Sequence, residues 1–340
     1  MTNLLIKRLQ NQKQQLLEEL WDVAAFDDTS YDTFAQTIET HFSNTDTQLP
    51  LPNLCFELST VRNRNLITAA EQRKLKKTVV GFLGLSVGSH SALTWMMESR
   101  ADTIKIADPD NLDAVNLNRL RFSWGDIGKT KVDVVKTYIA QINPFVNIVG
   151  TTNVSAESMI TLFDTSPKIK LVVDAIDSMK GKILLRKLAR QRHLPLISAA
   201  DIGDNVMLDI ERYDLDPQPE LFLGRLPGID QVNIDELSTI EKKKLIIKLV
   251  GFKNNSERML NSLLNIGKSV STWPQLGATA TIAGGIVATS IKKIILGEKV
   301  KSGRYYLLLD NLLVSDINLE DNKKRCDKII KKIKYELSIK

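Results

Sequence analysis

The sequence predicts an α/β protein: a Rossmann-like, doubly wound, mostly parallel sheet with helices on both faces, plus an N-terminal helical arm. Three observations carry this. Short runs rich in β-branched residues begin at Val79 and recur: VVGFLGL, TIKIAD, LVVDAID, LPLISAA and VMLDIERY. Helix-like stretches at 87–100, 131–142, 155–164 and 180–193 lie between most of them. A small-residue turn, Gly84 to Ser89, joins the first strand to the first helix. Alternation of this kind implies parallel strands, which need crossover helices and are covered on both faces.

In chain order, residues 1–60 read as the helical arm. Leu5, Leu9, Leu16, Leu20 and Trp21 form an uneven apolar stripe over 3–21, and LPLPN ends the polar stretch that follows. Thr68 and Glu71 make a capping-box pattern ahead of a helix. The main domain is expected over 61–320. Within it, 216–272 differs, with prolines, a helix-like DELSTIEKKKLIIKLV and polar joints. It reads as a substrate-facing insertion, because loops on a fixed scaffold carry specificity. GATATIAGGIVATSIKKIILG reads as a long small-residue helix. Its Gly284 and Gly285 cost stability unless something approaches them tightly. YYLLLD reads as a further buried strand. Residues 321–340 read as a basic amphipathic helix, with Cys326, Ile330, Ile333 and Leu337 on one face.

Composition narrows the class. The chain is 43% hydrophobic and 25% charged, as soluble globular domains are. Residues 323–340 hold eight Lys/Arg against two acids, which accounts for the whole net charge of +6. A solvated lysine face is the plain reading of that tail, and contact with nucleic acid or acidic lipid the sharper one. No run of eighteen apolar residues and no signal-peptide core are visible, so no membrane partner and a cytoplasmic location are expected. Cys55 and Cys326 make neither a disulfide framework nor a four-thiolate zinc site, and no zinc is expected. His41, His90 and His193 are scattered and read as structural or surface residues.

The chemistry gathers at the strand ends. Gly84 can adopt dihedrals forbidden to side chains. Ser86, Gly88 and Ser89 are small enough to let a phosphate reach the helix N-terminus, and serine hydroxyls add donors. A tight turn without a ligand is the plainer alternative. Asp108, ending the next strand, suits a ribose hydroxyl, or else caps the turn at Pro109. A dinucleotide fits to this point. Asn116, Arg119 and Lys131 then follow in NLDAVNLNRLRFSWGDIGKTK, a cluster better suited to a triphosphate, since Arg forks onto phosphate oxygens and Lys acts as a mobile charge. Asp177, after a third strand, is a carboxylate at the same edge, suited to Mg²⁺ beside phosphates.

These residues resemble the ThiF/MoeB/HesA superfamily of ubiquitin-activating-enzyme-like adenylating enzymes over roughly 61–320. IADPDNLDAVNLNR is similar to its D-x-D…N-L-x-R segment, GKTK to its G-x-x-K, and DAIDS to its D-x-x-D-N. GFLGLSVGS, NLNRLR and MLDIERYDLDPQPELFLG resemble a bacterial ThiF-like branch. The resemblance implies that Asp108 binds the ATP ribose, that Asn116, Arg119 and Lys131 contact phosphates, and that Asp177 carries Mg²⁺. Arg64 matches an arginine that crosses from the second subunit, which implies a homodimer. The chain departs from the pattern at Val115, Leu120 and Ser178, in its serine-substituted turn, and in lacking the paired zinc cysteines and thioester cysteine of many members. The expected activity is ATP- and Mg²⁺-dependent adenylation of a carboxylate or amide carbonyl on a small molecule, peptide or small carrier protein. A tRNA threonylcarbamoyladenosine dehydratase acting on tRNA, an NAD-dependent oxidoreductase and a non-catalytic nucleotide binder are the alternatives.

Overall fold

In a computed structural model, residues 52–216, 219–270, 272–314 and 319–336 are described. The arm stretch 3–21 and Leu337 lie outside them. The described residues fall into two compact units, 52–76 with 97–100, and 77–96 with those from 101 onward.

The first unit contains α1 (Pro52–Thr60) and α2 (Ala69–Lys76). Pro52 opens α1 instead of ending a helix, because the first helical position needs no N–H. The capping box forms as expected: the Thr68 N–H donates to Glu71 Oε2 at 2.8 Å, and the Glu71 N–H donates to Thr68 Oγ1 at 3.3 Å. Gln72 is buried and donates to the Glu98 carbonyl at 2.8 Å. The segment 61–76 therefore groups with α1 in one unit.

The second unit is built on a seven-stranded sheet in the order β3-β2-β1-β4-β5-β6-β7. The strands are β1 (Val80–Leu83), β2 (Thr103–Ala107), β3 (Asn147–Thr151), β4 (Leu171–Asp174), β5 (Pro195–Ile202), β6 (Asn205–Arg212) and β7 (Gly303–Leu307). The first five run parallel, β6 runs antiparallel to β5, and β7 antiparallel to β6. Chain order reverses between β1 and β4, where doubly wound sheets place their ligands. Every residue of β1, β2, β4 and β6 is buried, so both faces of the sheet are covered. The edge strands are only partly so. This corrects the expectation that YYLLLD is fully buried, and explains why NIVGT went unrecognised: an edge strand needs no continuous apolar run.

Four helices fall where the alternation puts them: α3 (Val87–Ser99), α4 (Lys131–Ile142), α5 (Ala156–Asp164) and α6 (Met179–Gln191). Lys105, wholly buried in β2, was not anticipated. Its ammonium donates to the Leu162 carbonyl at 2.7 Å and the Thr165 carbonyl at 2.6 Å, at the C-terminal end of α5. A cation there meets the negative end of the helix dipole.

The later segment holds α7 (Thr239–Val250), α8 (Glu257–Asn265) and α9 (Gly277–Leu296). Helix α9 is long and apolar enough to cross a bilayer by length and composition, but here it packs on β5 and β6. The short α10 (Leu309–Leu313) precedes α11 (Leu319–Glu336), which packs against α8 through buried Ile333. Arg325 pairs with Glu257 at 2.7 Å, and Lys268 with Glu336 at 3.4 Å.

The two glycines of α9 differ. A methyl at Gly284 would stand 2.5 Å from His90 Cβ, whereas one at Gly285 meets nothing within 4 Å. Gly285→Ala should therefore stabilise the protein by about 1 kcal/mol through helix propensity. Gly284→Ala should destabilise it by about 1–3 kcal/mol through overpacking. Urea unfolding of the two variants checks the opposite signs.

Candidate functional site

Three strand ends are level. Leu83 pairs with both Ala107 and Asp174, the Gly84 N–H donates to the Ala107 carbonyl, and the Ala175 N–H donates to the Leu83 carbonyl, each at 2.8 Å. Gly84 has φ +90°, and a Cβ there would sit 2.1 Å from the Ala175 oxygen. No other residue type fits that conformation and that contact. A Cβ on Gly88 already approaches the Ala175 side chain to 2.8 Å. The two glycines thus let the β1 turn lie on the end of β4, and the N-terminus of α3 opens beside it. The Ser89 hydroxyl is buried and donates to the Ser86 carbonyl at 2.8 Å, so its proton is engaged within the turn.

Asp108 and Lys131 come together. Asp108 is buried. Its Oδ2 accepts the Leu85 N–H at 2.5 Å and its Oδ1 accepts the Asp110 N–H at 2.9 Å. Burial raises its pKa against the opposing pull of Lys131 and the two N–H donors. Lys131, the first residue of α4, holds Asp110 at 2.8 Å and lies 3.7 Å from Asp108. Asn116 is buried in a short turn, where its Oδ1 accepts the Asp113 N–H at 3.1 Å.

Arg119, Asp177 and Ser86 share a cavity of about 340 Å³. Its other walls come from β5, β6, α6, α7 and the stretch before α9. Arg119 donates from one terminal nitrogen to the Val115 carbonyl at 3.0 Å and to Asn118 Oδ1 at 2.9 Å. Its Nε is buried with no hydrogen-bond partner among the described residues. The Arg119 carbonyl accepts from His90 Nε2 at 2.6 Å. Burial lowers the His90 pKa, consistent with a neutral ring that donates from Nε2.

Asp177 is exposed at the cavity edge, and the turn that carries it is held by charges the sequence reading had not singled out. Asp174 is fully buried and binds Lys182 at 3.1 Å and Arg186 at 2.7 Å. Burial alone would raise its pKa, but Lys182 and Arg186 outweigh that and hold it below the usual carboxylate value. Arg186 continues to Glu211 at 2.8 Å and stacks 3.9 Å from the centre of the Phe222 ring. Ser178 caps α6 by accepting the Gly181 N–H at 3.1 Å, so serine replaces asparagine there without loss of the cap. Lys182 and Arg186 were missed because basic residues on a helix normally read as a solvated face.

The remaining wall is a second group that sequence reasoning passed over. Ile246 and Leu249 of α7 line it, as do Trp273 and Gln275. Asp201, 2% exposed, takes only a 3.4 Å hydrogen bond from Gln275 Nε2 on its Oδ2, and its Oδ1 has no partner among the described residues. Trp273 Nε1 donates to the Asp201 carbonyl at 3.1 Å. A signal existed, since Asp201 follows the apolar run LPLISAA as Asp108 follows TIKIA. Arg64 belongs to the first unit, 3.7 Å from Glu57. Burial raises the pKa of both Cys55 and Cys326, away from thiolate, and among the described residues no three His, Cys, Asp or Glu gather as a metal site.

Burial pushes Asp201 up to about 6 from 3.8. The folded state then holds this proton more tightly than the unfolded chain does. Stability falls as pH rises through that window, by roughly 3 kcal/mol in all. Asp201→Asn should therefore be more stable than the parent at pH 7.5 and level with it at pH 4, as read by urea unfolding at both. A gap of equal size at the two pH values would remove the unpaired carboxylate from this account.

An uncharacterized Mycobacterium tuberculosis protein is 33% identical over 244 residues, 72% of this chain and 33% of its own length. The adenylyltransferase and sulfurtransferase UBA4 of Meyerozyma guilliermondii is 28% identical over 173 residues, 49% of this chain and 39% of its own. The chain thus spans less than half the length of either. The tRNA threonylcarbamoyladenosine dehydratase of Bacillus subtilis is 28% identical over 255 residues, 71% of this chain and 97% of its own. Among solved structures, PaaA shares the fold, with a TM-score of 0.52 over 87% of this chain and 93% of its own at 18% identity. The model of the ThiF family matches residues 60–328, and the chain belongs to the ThiF family.

Proposed function

We propose that the chain is an ATP- and Mg²⁺-dependent adenylyltransferase that converts a carboxylate or amide carbonyl into an acyl adenylate without an enzyme thioester. One observation carries this: Arg119, its buried Nε unpartnered, and Asp177 share a cavity with Ser86 at the start of α3. Family membership supports the same chemistry.

A carboxylate nucleophile has a pKa near ~4 and is ionised at neutral pH, so no paired base is required. The protein must align that carboxylate with the α-phosphorus and neutralise charge on the departing pyrophosphate. Ser86 and the α3 N-terminus lie where backbone N–H groups meet phosphate. The open Nε edge of Arg119 suits a phosphate oxygen. Lys131 is a mobile charge on its present partner Asp110. Asp108 retains lone pairs for a ribose hydroxyl beyond its two N–H contacts. Asp177, an exposed carboxylate with no ion pair among the described residues, fits a metal that takes one or two protein carboxylates and phosphate oxygens. Mg²⁺ bound there would supply positive charge to the phosphates. Asn116 would hold the phosphate-side turn, and Arg64 would serve the neighbouring site in a homodimer. The raised thiol pKa values support transfer to an acceptor other than a cysteine of this chain.

A tRNA-directed dehydratase is the second reading, favoured by the Bacillus subtilis relative that this chain matches over 97% of its length.

Calorimetric titration tests the site. ATP should bind more tightly with Mg²⁺ than without. Arg119→Ala should weaken binding by about 10–100-fold, the worth of a charge-assisted hydrogen bond. Asp177→Ala should remove the Mg²⁺ enhancement and abolish substrate-dependent ATP–pyrophosphate exchange. Unaltered ATP binding in both variants would overturn the proposed site.

A further inference from the structure

We propose that the wall of the cavity at Asp201 receives a primary ammonium group borne by the substrate next to an apolar body, as in an apolar amino acid or the first residue of a peptide. That this substrate presents a carboxylate rests on the adenylation reading. The ammonium site stands on the cavity itself.

Three of the six charged side chains that line the cavity are held in ion pairs. Asp174 is bound by Lys182 and Arg186, and Arg186 also by Glu211. Asp209 is held by Arg304 at 2.6 Å, its cross-strand neighbour. Asp177 and Arg119 line the cavity with Ser86 and would be taken by the metal and the phosphates. Asp201 remains. It is 2% exposed, its one hydrogen bond is long and comes from a neutral amide, and Arg119 attracts it through space without closing an ion pair. A buried carboxylate without a counter-charge in contact is destabilising, and a perturbed carboxylate in a cleft marks a candidate binding site. The missing partner is a cation that donates hydrogen bonds.

A metal ion does not suit this wall, since among the described residues no second and third carboxylate, imidazole or thiol joins Asp201. A primary ammonium does, because its three N–H groups serve an acceptor-only carboxylate. The same cavity also has apolar lining, from Met207, Ile246, Leu249 and Trp273. That surface accommodates an alkyl or aromatic body. Burial already pushes Asp201 up to about 6, which an incoming ammonium would reverse.

The probes are 3-methylbutylamine and 3-methylbutanol, which differ only in the cationic group. Calorimetric titration of the full chain at neutral pH should show the amine binding at least about tenfold tighter than the alcohol, as a charge-assisted hydrogen bond in a buried site implies. Asp201→Asn should erase that preference, and Asp201→Glu should restore part of it. Thermal unfolding confirms that each variant is folded. No detectable amine binding, equal affinity for the two probes, or a preference that survives in Asp201→Asn would overturn the inference. Titrating MgATP into the same preparations separates the two claims: failure of ATP binding sinks adenylation and leaves the amine result to stand on its own.

Discussion

The close approach of the β1 turn to the end of β4 is the constraint on which the rest depends. Gly84 lies against the Ala175 carbonyl in a backbone conformation that only glycine adopts freely. That contact brings the ends of β1, β2 and β4 level. It sets Asp108 under the turn and Asp177 beyond it, and it leaves the N-terminus of α3 open between them. The residues concerned are distant in the chain, and the sheet register alone makes them neighbours.

Behind this edge lies a chain of buried charge, Asp174–Arg186–Glu211, that ties β4, α6 and β6 together. Each member is paired, so the low dielectric strengthens the chain rather than penalising it. It also holds a strained turn. Phe222 and Leu223 have φ of 57° and 55°, values uncommon outside glycine and asparagine. Glu211 accepts the Phe222 N–H at 2.8 Å, and Arg186 covers the ring. Neutralising Arg186 would leave Glu211 without its counter-charge and Asp174 with Lys182 alone, a costly loss in a buried network. Asp201 shows the opposite arrangement in the same cavity, an incompletely partnered carboxylate kept at the expense of stability, as binding sites commonly are.

Much of this was legible in the amino-acid order. The alternation of strands and helices, the Thr68–Glu71 capping box, and the carboxylates Asp108 and Asp177 at strand ends follow from local patterns that side-chain periodicity and backbone chemistry impose. Edge strand β3 was not legible, because half-burial removes the apolar run that marks a strand. Lys182 and Arg186 resemble any solvated basic helix face until β4 and β6 are packed against them. Ser89 looked like a phosphate donor because spacing shows that a hydroxyl is present, but not that its own turn has taken it.

The sequence by itself determined the class of fold and the family, since these depend on short-range pattern and on residue types at fixed spacing. Only the tertiary structure decided which charges are spent on one another and which are left over. Pairing between Asp209 and Arg304, or the lack of it at Asp201, arises from contacts between segments far apart in the chain, and no local pattern records which side chains will meet.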